Sequence, residues 1–213
     1  MIAISADLRV FFKYKVQQIA KNGKVPLTVL RDGKEFKVEV PVSASRPMVV
    51  PNLQGDYPSY FVCGPLVFSS ATQNFISGLS KGYGDYVMSI LGAFGNPLVK
   101  RMGDRPTFED EHLVVVSSPF FPHKLSQGYA NPFMQVVKTV NSIPIKNLDH
   151  LVEVLRDCRD EFITIEFGSR SSETLVFPRR EMLAATDEIL SDNGVRSQGS
   201  PDTLAIWNAK PTH

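Results

Sequence analysis

Residues 58–70, PSYFVCGPLVFSS, constrain the fold of this chain more than any other stretch. Aromatic and β-branched Tyr60, Phe61 and Val62 run into Gly64-Pro65, and Leu66, Val67 and Phe68 then resume an apolar β pattern, so a tight turn must interrupt a strand. Such a turn can aim main-chain N–H groups at a carboxylate, and the strand beyond it can accept an added peptide strand. Short apolar runs with a glycine are also ordinary core strands, so the reading depends on what surrounds this one.

A second block, Glu111 to Phe167, reads in the order strand, loop, strand, Asn-containing turn, helix, strand. Leu113–Val116 and Gln135–Val140 are the strands, and Asn147 is placed to cap the helix that follows. That helix carries Leu148, Leu151, Val152, Leu155 and Cys158 as a wide apolar stripe, with Asp149, Glu153, Arg156 and Asp157 opposite. Phe162–Phe167 and Thr174–Phe177 form a hairpin through a Ser-rich turn, and Arg180–Ser191 forms a last helix stopped by Asn193-Gly194. From Ser197 onward the chain reads as a loosely ordered tail.

At the other end, Leu8, Phe11, Phe12, Val16 and Ile19 recur at helical spacing, and Asn22-Gly23 reads as a left-handed cap. Val25–Leu30 and Phe36–Val42 then make a hairpin through Asp32-Gly33, a dipeptide suited to a type I′ turn. One helix and two strands bury too little to stand alone, so residues 1–45 read as the end of a domain that begins upstream. Residues 46–58, rich in proline, read as a linker or strap. A second domain spans 59–180, with a glycine-rich, irregular insertion at about 71–110 whose single expected helix lies around Tyr86–Phe94. Residues 181–213 supply a C-terminal helix and tail.

The 213 residues, 43% hydrophobic and 21% charged, suit a soluble globular fold, and a net charge of +1 gives no long-range field for nucleic acid or an anionic membrane. No window approaches the roughly 20 apolar residues of a membrane span. The two cysteines, Cys63 and Cys158, lie far apart in sequence and are expected to be free, buried thiols. The four histidines have no motif-spaced serine and aspartate and no metal spacing, so no catalytic residue, metal or cofactor is expected.

Taken in this order, the elements resemble the C-terminal region of the Deg/HtrA serine proteases, above all the plant-type Deg branch and its bacterial relatives. PSYFVCGPLVF is similar to the carboxylate-loop strand of that branch's second PDZ domain. HLVVVSSPFFPHKLSQGYANPFMQVVKTVNSIPIKNLDHLVEVLRDC is similar to its strand, turn and groove-helix run, and LAATDEILSDNGVRSQGSPDTL to its extra C-terminal helix. Residues 1–42 resemble the closing helix and hairpin of a first PDZ domain. The implied fold is α+β, a PDZ-like, partly open β-barrel or sandwich with capping helices, preceded by a partial PDZ. The family's G-N-S-G-G nucleophile loop does not occur; Gly95-Asn96-Pro97 is the nearest string.

By the family pattern Cys63, Gly64, Leu66, Val67 and Phe68 form the turn and strand of a peptide groove, and Leu148, Val152 and Leu155 face it from the helix, leaving Leu151 and Cys158 to the core. The implied ligands are apolar peptides, C-termini or unfolded segments. Pro65 stands where the family usually carries an amide donor, and the same apolar residues also suit a core with the groove filled from within by 46–58 or 71–110. The resemblance implies a non-catalytic peptide-binding and oligomerisation region of a serine endopeptidase, active as a homo-oligomer in a bacterial envelope or periplasm or in a plant organelle. The alternative is a stand-alone PDZ-like adaptor without a protease.

Overall fold

A computed structural model of the chain describes residues 2–3, 9–42, 47–170 and 172–210. They belong to two compact units, Met1–Arg46 and Pro47–His213.

In the first unit, β1 (Ile2–Ala3) pairs with β2 (Arg9–Val10), and α1 spans Phe12–Ile19. Leu8, expected on the helix stripe, lies outside the described residues. The helix ends at Ala20, whose N–H bonds to the Val16 carbonyl, and not at Asn22-Gly23. That dipeptide instead takes two successive left-handed conformations, φ 51° and 72°, between Lys21 and Lys24, which exchange backbone hydrogen bonds of 2.9 Å. Asn-Gly satisfies a two-residue turn as readily as a helix cap, and here the turn leads directly into strand. The hairpin of β3 (Lys24–Arg31) and β4 (Lys34–Pro41) turns at Asp32 and Gly33, at φ 52° and 73°. Its register places Val25 against Val40, Leu27 against Val38 and Val29 against Phe36, three apolar pairs on one face.

The second unit holds two antiparallel sheets. The first has the order β5-β6-β7 (Tyr60–Cys63, Leu66–Ser70, Val114–Val116). Between β6 and β7 lie three helices, α2 (Gln73–Tyr83), α3 (Tyr86–Ala93) and α4 (Pro97–Lys100). The second sheet has the order β11-β10-β8-β9, with β8 at Val137–Val140, β9 at Ile143–Pro144, β10 at Phe162–Phe167 and β11 at Leu175–Pro178. A bridge between Val115 and Val136 joins the sheets along one side, giving an open α+β arrangement and not a closed barrel. Three more helices complete the unit: α5 (Leu148–Asp157), α6 (Arg179–Asp192) and α7 (Pro201–Trp207).

The main core gathers Phe61, Leu66 and Phe68 with Val140, Leu151, Leu155, Ile163, Ile165 and Phe177. The residues Val114–Val116 are apolar without alternation because β7 is covered on both faces: Val114 and Val116 point to this core, and Val115 to a second cluster with Val49, Val50, Leu98 and Leu113. The stretch expected as a linker thus contributes core, with Val49 and Val50 fully buried and the Val49 N–H bonded to the Asp104 carbonyl. Helix α2 goes beyond the one helix expected in the glycine-rich stretch. Thr72 caps it, accepting from the Phe75 N–H at 3.1 Å, and Ile76 and Leu79 anchor it, which outweighs Gly78 and Gly82. Glu111, 6% exposed, locks the end of this segment by taking Arg101 Nη1 at 2.5 Å and the Thr107 N–H at 2.6 Å.

Candidate functional site: the β5 edge and helix α5

The residues expected to form a peptide groove converge. Cys63, Leu66, Phe68, Leu148, Val152 and Leu155 lie in one cluster, each at most 2% exposed, while Val67 is half-buried. Asn147 caps α5 as its sequence position predicts, accepting from the His150 N–H at 2.8 Å. Leu151 also faces the core, and Cys158 is half-buried at its margin.

The turn is not an open cradle of amides. Cys63 and Leu66 close a two-residue hairpin in which Gly64 sits at φ 53°. A Cβ on Gly64 would lie 2.8 Å from Met182 Cγ, so α6 packs directly on the turn. The Gly64 N–H donates to Thr186 Oγ1 at 2.8 Å, and that hydroxyl donates in turn to the Met182 carbonyl at 2.9 Å. The Pro65 carbonyl accepts from the Phe121 N–H at 3.0 Å. The Gly64 amide, one of the main-chain donors such a turn could offer a carboxylate, is therefore committed within the fold.

The expected edge is also displaced. Strand β6, beyond the turn, is paired on both sides, with β5 along residues 66–69 and with β7 along residues 68–70, and its Val67 carbonyl takes the Ser117 N–H at 2.9 Å. It has no side left for an added strand. The outer strand is β5, which precedes the turn.

That outer strand already has a partner, and it comes from the segment expected to be a loose tail. The Val62 N–H donates to the Gln198 carbonyl at 2.7 Å, Gln198 Nε2 returns a bond to the Val62 carbonyl at 3.0 Å, and Phe61 bridges antiparallel to Gly199. The Tyr60 N–H donates to Ser200 Oγ at 3.1 Å, and the Tyr60 carbonyl accepts from the Ser200 N–H and from Thr203 Oγ1. A Cβ on Gly199 would lie 2.5 Å from Thr203 Oγ1 and 3.1 Å from the Tyr60 carbonyl, so only glycine allows this approach. Helix α7 then runs on against α5: Arg156 Nη1 donates to the Ile206 carbonyl at 2.8 Å, and Trp207 meets Phe61 with ring centroids 5.1 Å apart. Neither 46–58 nor 71–110 makes these contacts. Sequence spacing could not find this strand, although Gly199 before the Ser200-Pro201 helix start is a local sign of it.

Beyond Ser200 the segment points at the residues before β5, where Asp202 Oδ2 accepts from Ser59 Oγ at 2.5 Å. Burial raises the Asp202 carboxyl, but hydrogen bonds from Ser200, Ser59 and two backbone amides outweigh it and hold the group below its ordinary value. Across a cavity of about 340 Å³ also lined by Asp110 and His112, Asp149 is shifted up, first by burial and then by the charges of Asp202, Glu153 and Asp110. No trio of His, Cys, Asp or Glu able to hold a metal occurs among the described residues. His112 faces the Asp110 carbonyl, His123 accepts the Leu125 N–H of the short helix it caps, His150 accepts the Lys146 N–H, and His213 lies outside the described residues.

A family model described as a PDZ domain matches residues 49–202. The chain belongs to the PDZ-domain family. It is also similar to Protease Do-like 2, chloroplastic, of Arabidopsis thaliana, 26% identical over 196 residues that make up 92% of this chain and 30% of that protein. Putative protease Do-like 11, mitochondrial, from the same plant is 24% identical over 91% of this chain and 29% of its own length. Protease Do-like 4, mitochondrial, is 26% identical over 91% and 33%. The PDZ chain thus spans about a third of the length of these relatives.

Proposed function

We propose that this chain is the non-catalytic PDZ region of a Deg/HtrA-type serine endopeptidase, and that it assembles protomers or gates access to a protease domain. The observation that carries this reading is the antiparallel pairing of Gln198–Ser200 on β5. In a peptide-binding PDZ groove a ligand strand lies between an edge strand and the facing helix; here residues 198–207 lie between β5 and α5 and make those bonds. Capture of a peptide strand on β5, facing Leu148, Val152 and Leu155 of α5, then requires that this segment leave first, while Cys63, Gly64, Leu66, Val67 and Phe68 keep their places in the turn and the sheet. The chain itself cleaves nothing.

Peptide titration tests the reading. A fluorescent peptide ending in apolar residues and a free carboxylate should bind the whole chain weakly, and should bind more tightly to a chain ending at Arg196 or to the whole chain carrying Gly199→Val. Leu155→Asp should abolish the gained binding by placing an unpaired charge among apolar side chains. Equal binding by closed and released forms refutes the occupied groove. Casein turnover that follows the purified chain through chromatography refutes the non-catalytic part.

A further inference from the structure

Helix α3 departs from the pattern of a surface helix. Its inner face buries Val87 and Leu91, yet its outer face carries Tyr86 and Ile90, and Phe94 follows as its cap, spaced four residues apart on one line. They are 68%, 39% and 54% exposed, where an ordinary surface helix carries polar groups. At the Phe94 end two cations converge. A Cβ built on Gly95 would lie 3.1 Å from Lys100 Nζ and 3.5 Å from Arg170 Nε, so both reach the same point. The Arg170 N–H holds the Phe94 carbonyl at 2.8 Å, which fixes this cation beside the apolar line. Both side chains are exposed, and neither has an acidic partner among the described residues. Asp85, before Tyr86, is the acid that adjoins the line at its other end.

We propose that this face seats on an anionic lipid surface, with Tyr86, Ile90 and Phe94 entering the headgroup and acyl boundary and with Lys100 and Arg170 on lipid phosphates. The charge is of the complementary sign and lies at one end of an aromatic and aliphatic line. That line runs along a convex helix and not inside a groove, which suits a bilayer better than an extended peptide. Tyrosine belongs at such a boundary because its ring is apolar and its hydroxyl stays wet. A net charge of +1 supplies no long-range attraction, so the cations act only at contact, within a Debye length of the surface.

Co-sedimentation of the 213-residue chain with vesicles of neutral phosphatidylcholine, with and without a third of phosphatidylglycerol, tests this. Binding should require the anionic lipid and fade with added salt. Lys100→Gln and Arg170→Gln should each weaken it about five-fold. Phe94→Ser and Ile90→Ser, both at exposed positions, should weaken it further without changing the circular dichroism. The first unit also exposes Phe11 and Phe12, so binding that survives the α3 variants intact overturns the assignment. Absence of binding, equal binding to neutral vesicles, or loss of self-association in the same variants with no change in lipid binding overturns it as well.

Discussion

Replacing Thr186 with valine removes one hydroxyl and leaves the shape of the side chain nearly unchanged. That hydroxyl receives the Gly64 N–H at 2.8 Å inside the protein, and it is 3% exposed as a residue. With valine, the amide faces a methyl group in a site that water cannot reach. An unsatisfied buried donor costs about 1–3 kcal/mol, and for a unit of this size each kcal/mol shifts Tm by about 2–4 °C. The expected fall in Tm is therefore about 2–12 °C. Thr186→Ser keeps the acceptor, loses one methyl, and should cost only about 1 kcal/mol. Calorimetry separates the two variants, and hydrogen exchange at Gly64 supplies the local readout, since that amide should exchange faster in the valine variant and not in the serine one. If Thr186→Val matched Thr186→Ser in both measurements, the Gly64 N–H would have another acceptor, and the account of the turn as sealed by α6 would be wrong.

The pull of Arg101 holds the Glu111 carboxyl down at about 2 from an ordinary 4.5, against the opposing push of burial. Because the folded value is the lower one, this stabilisation is whole above about 4.5 and is lost as pH falls toward 2. The loss is on the order of 2–3 kcal/mol, and Glu111→Gln should flatten that part of the stability curve. Burial pushes the Cys63 thiol up to about 12, so iodoacetamide at pH 8 should label the half-buried Cys158 in the native protein and reach Cys63 only after denaturation, as read by mass spectrometry. Gly199→Ala should speed amide exchange at Val62 and Ser200 about ten-fold or more by crowding Thr203 and Tyr60; unchanged exchange would mean that the contact is looser than described.

Local chemistry made much of the fold legible in advance. Asp32-Gly33 predicts its hairpin because that dipeptide accepts two positive φ values, and Asn147 predicts the start of α5 because its side chain satisfies a free N–H. The Asn22-Gly23 pair was ambiguous for the same reason, since both a helix end and a turn use those residues. What spacing could not supply was the outer side of the first sheet. Tyr60–Cys63 and Leu66–Phe68 are both apolar runs, and only the pairing of Gln198 with Val62 and of Phe68 with Val116 decides which is central. Likewise, an apolar residue such as Phe61 reads the same whether its neighbour is another chain or the protein's own Trp207.

The segment on β5 is held to α6 by only the few residues between Asp192 and Gln198. A strand tethered this closely competes at an effective concentration of the order of millimolar, whatever the protein is diluted into. If the groove takes peptides as proposed, every free peptide would have to overcome a competitor whose concentration never falls, and its apparent affinity would drop by the ratio of that concentration to the strand's own dissociation constant. Abundance of a single free ligand gains little against such a competitor. A partner presenting several segments at once, as one unfolded chain or several PDZ copies in an assembly would, gains effective concentration of its own. On that reading the hydrogen bonds between Val62 and Gln198 would set a threshold in valency more than in sequence.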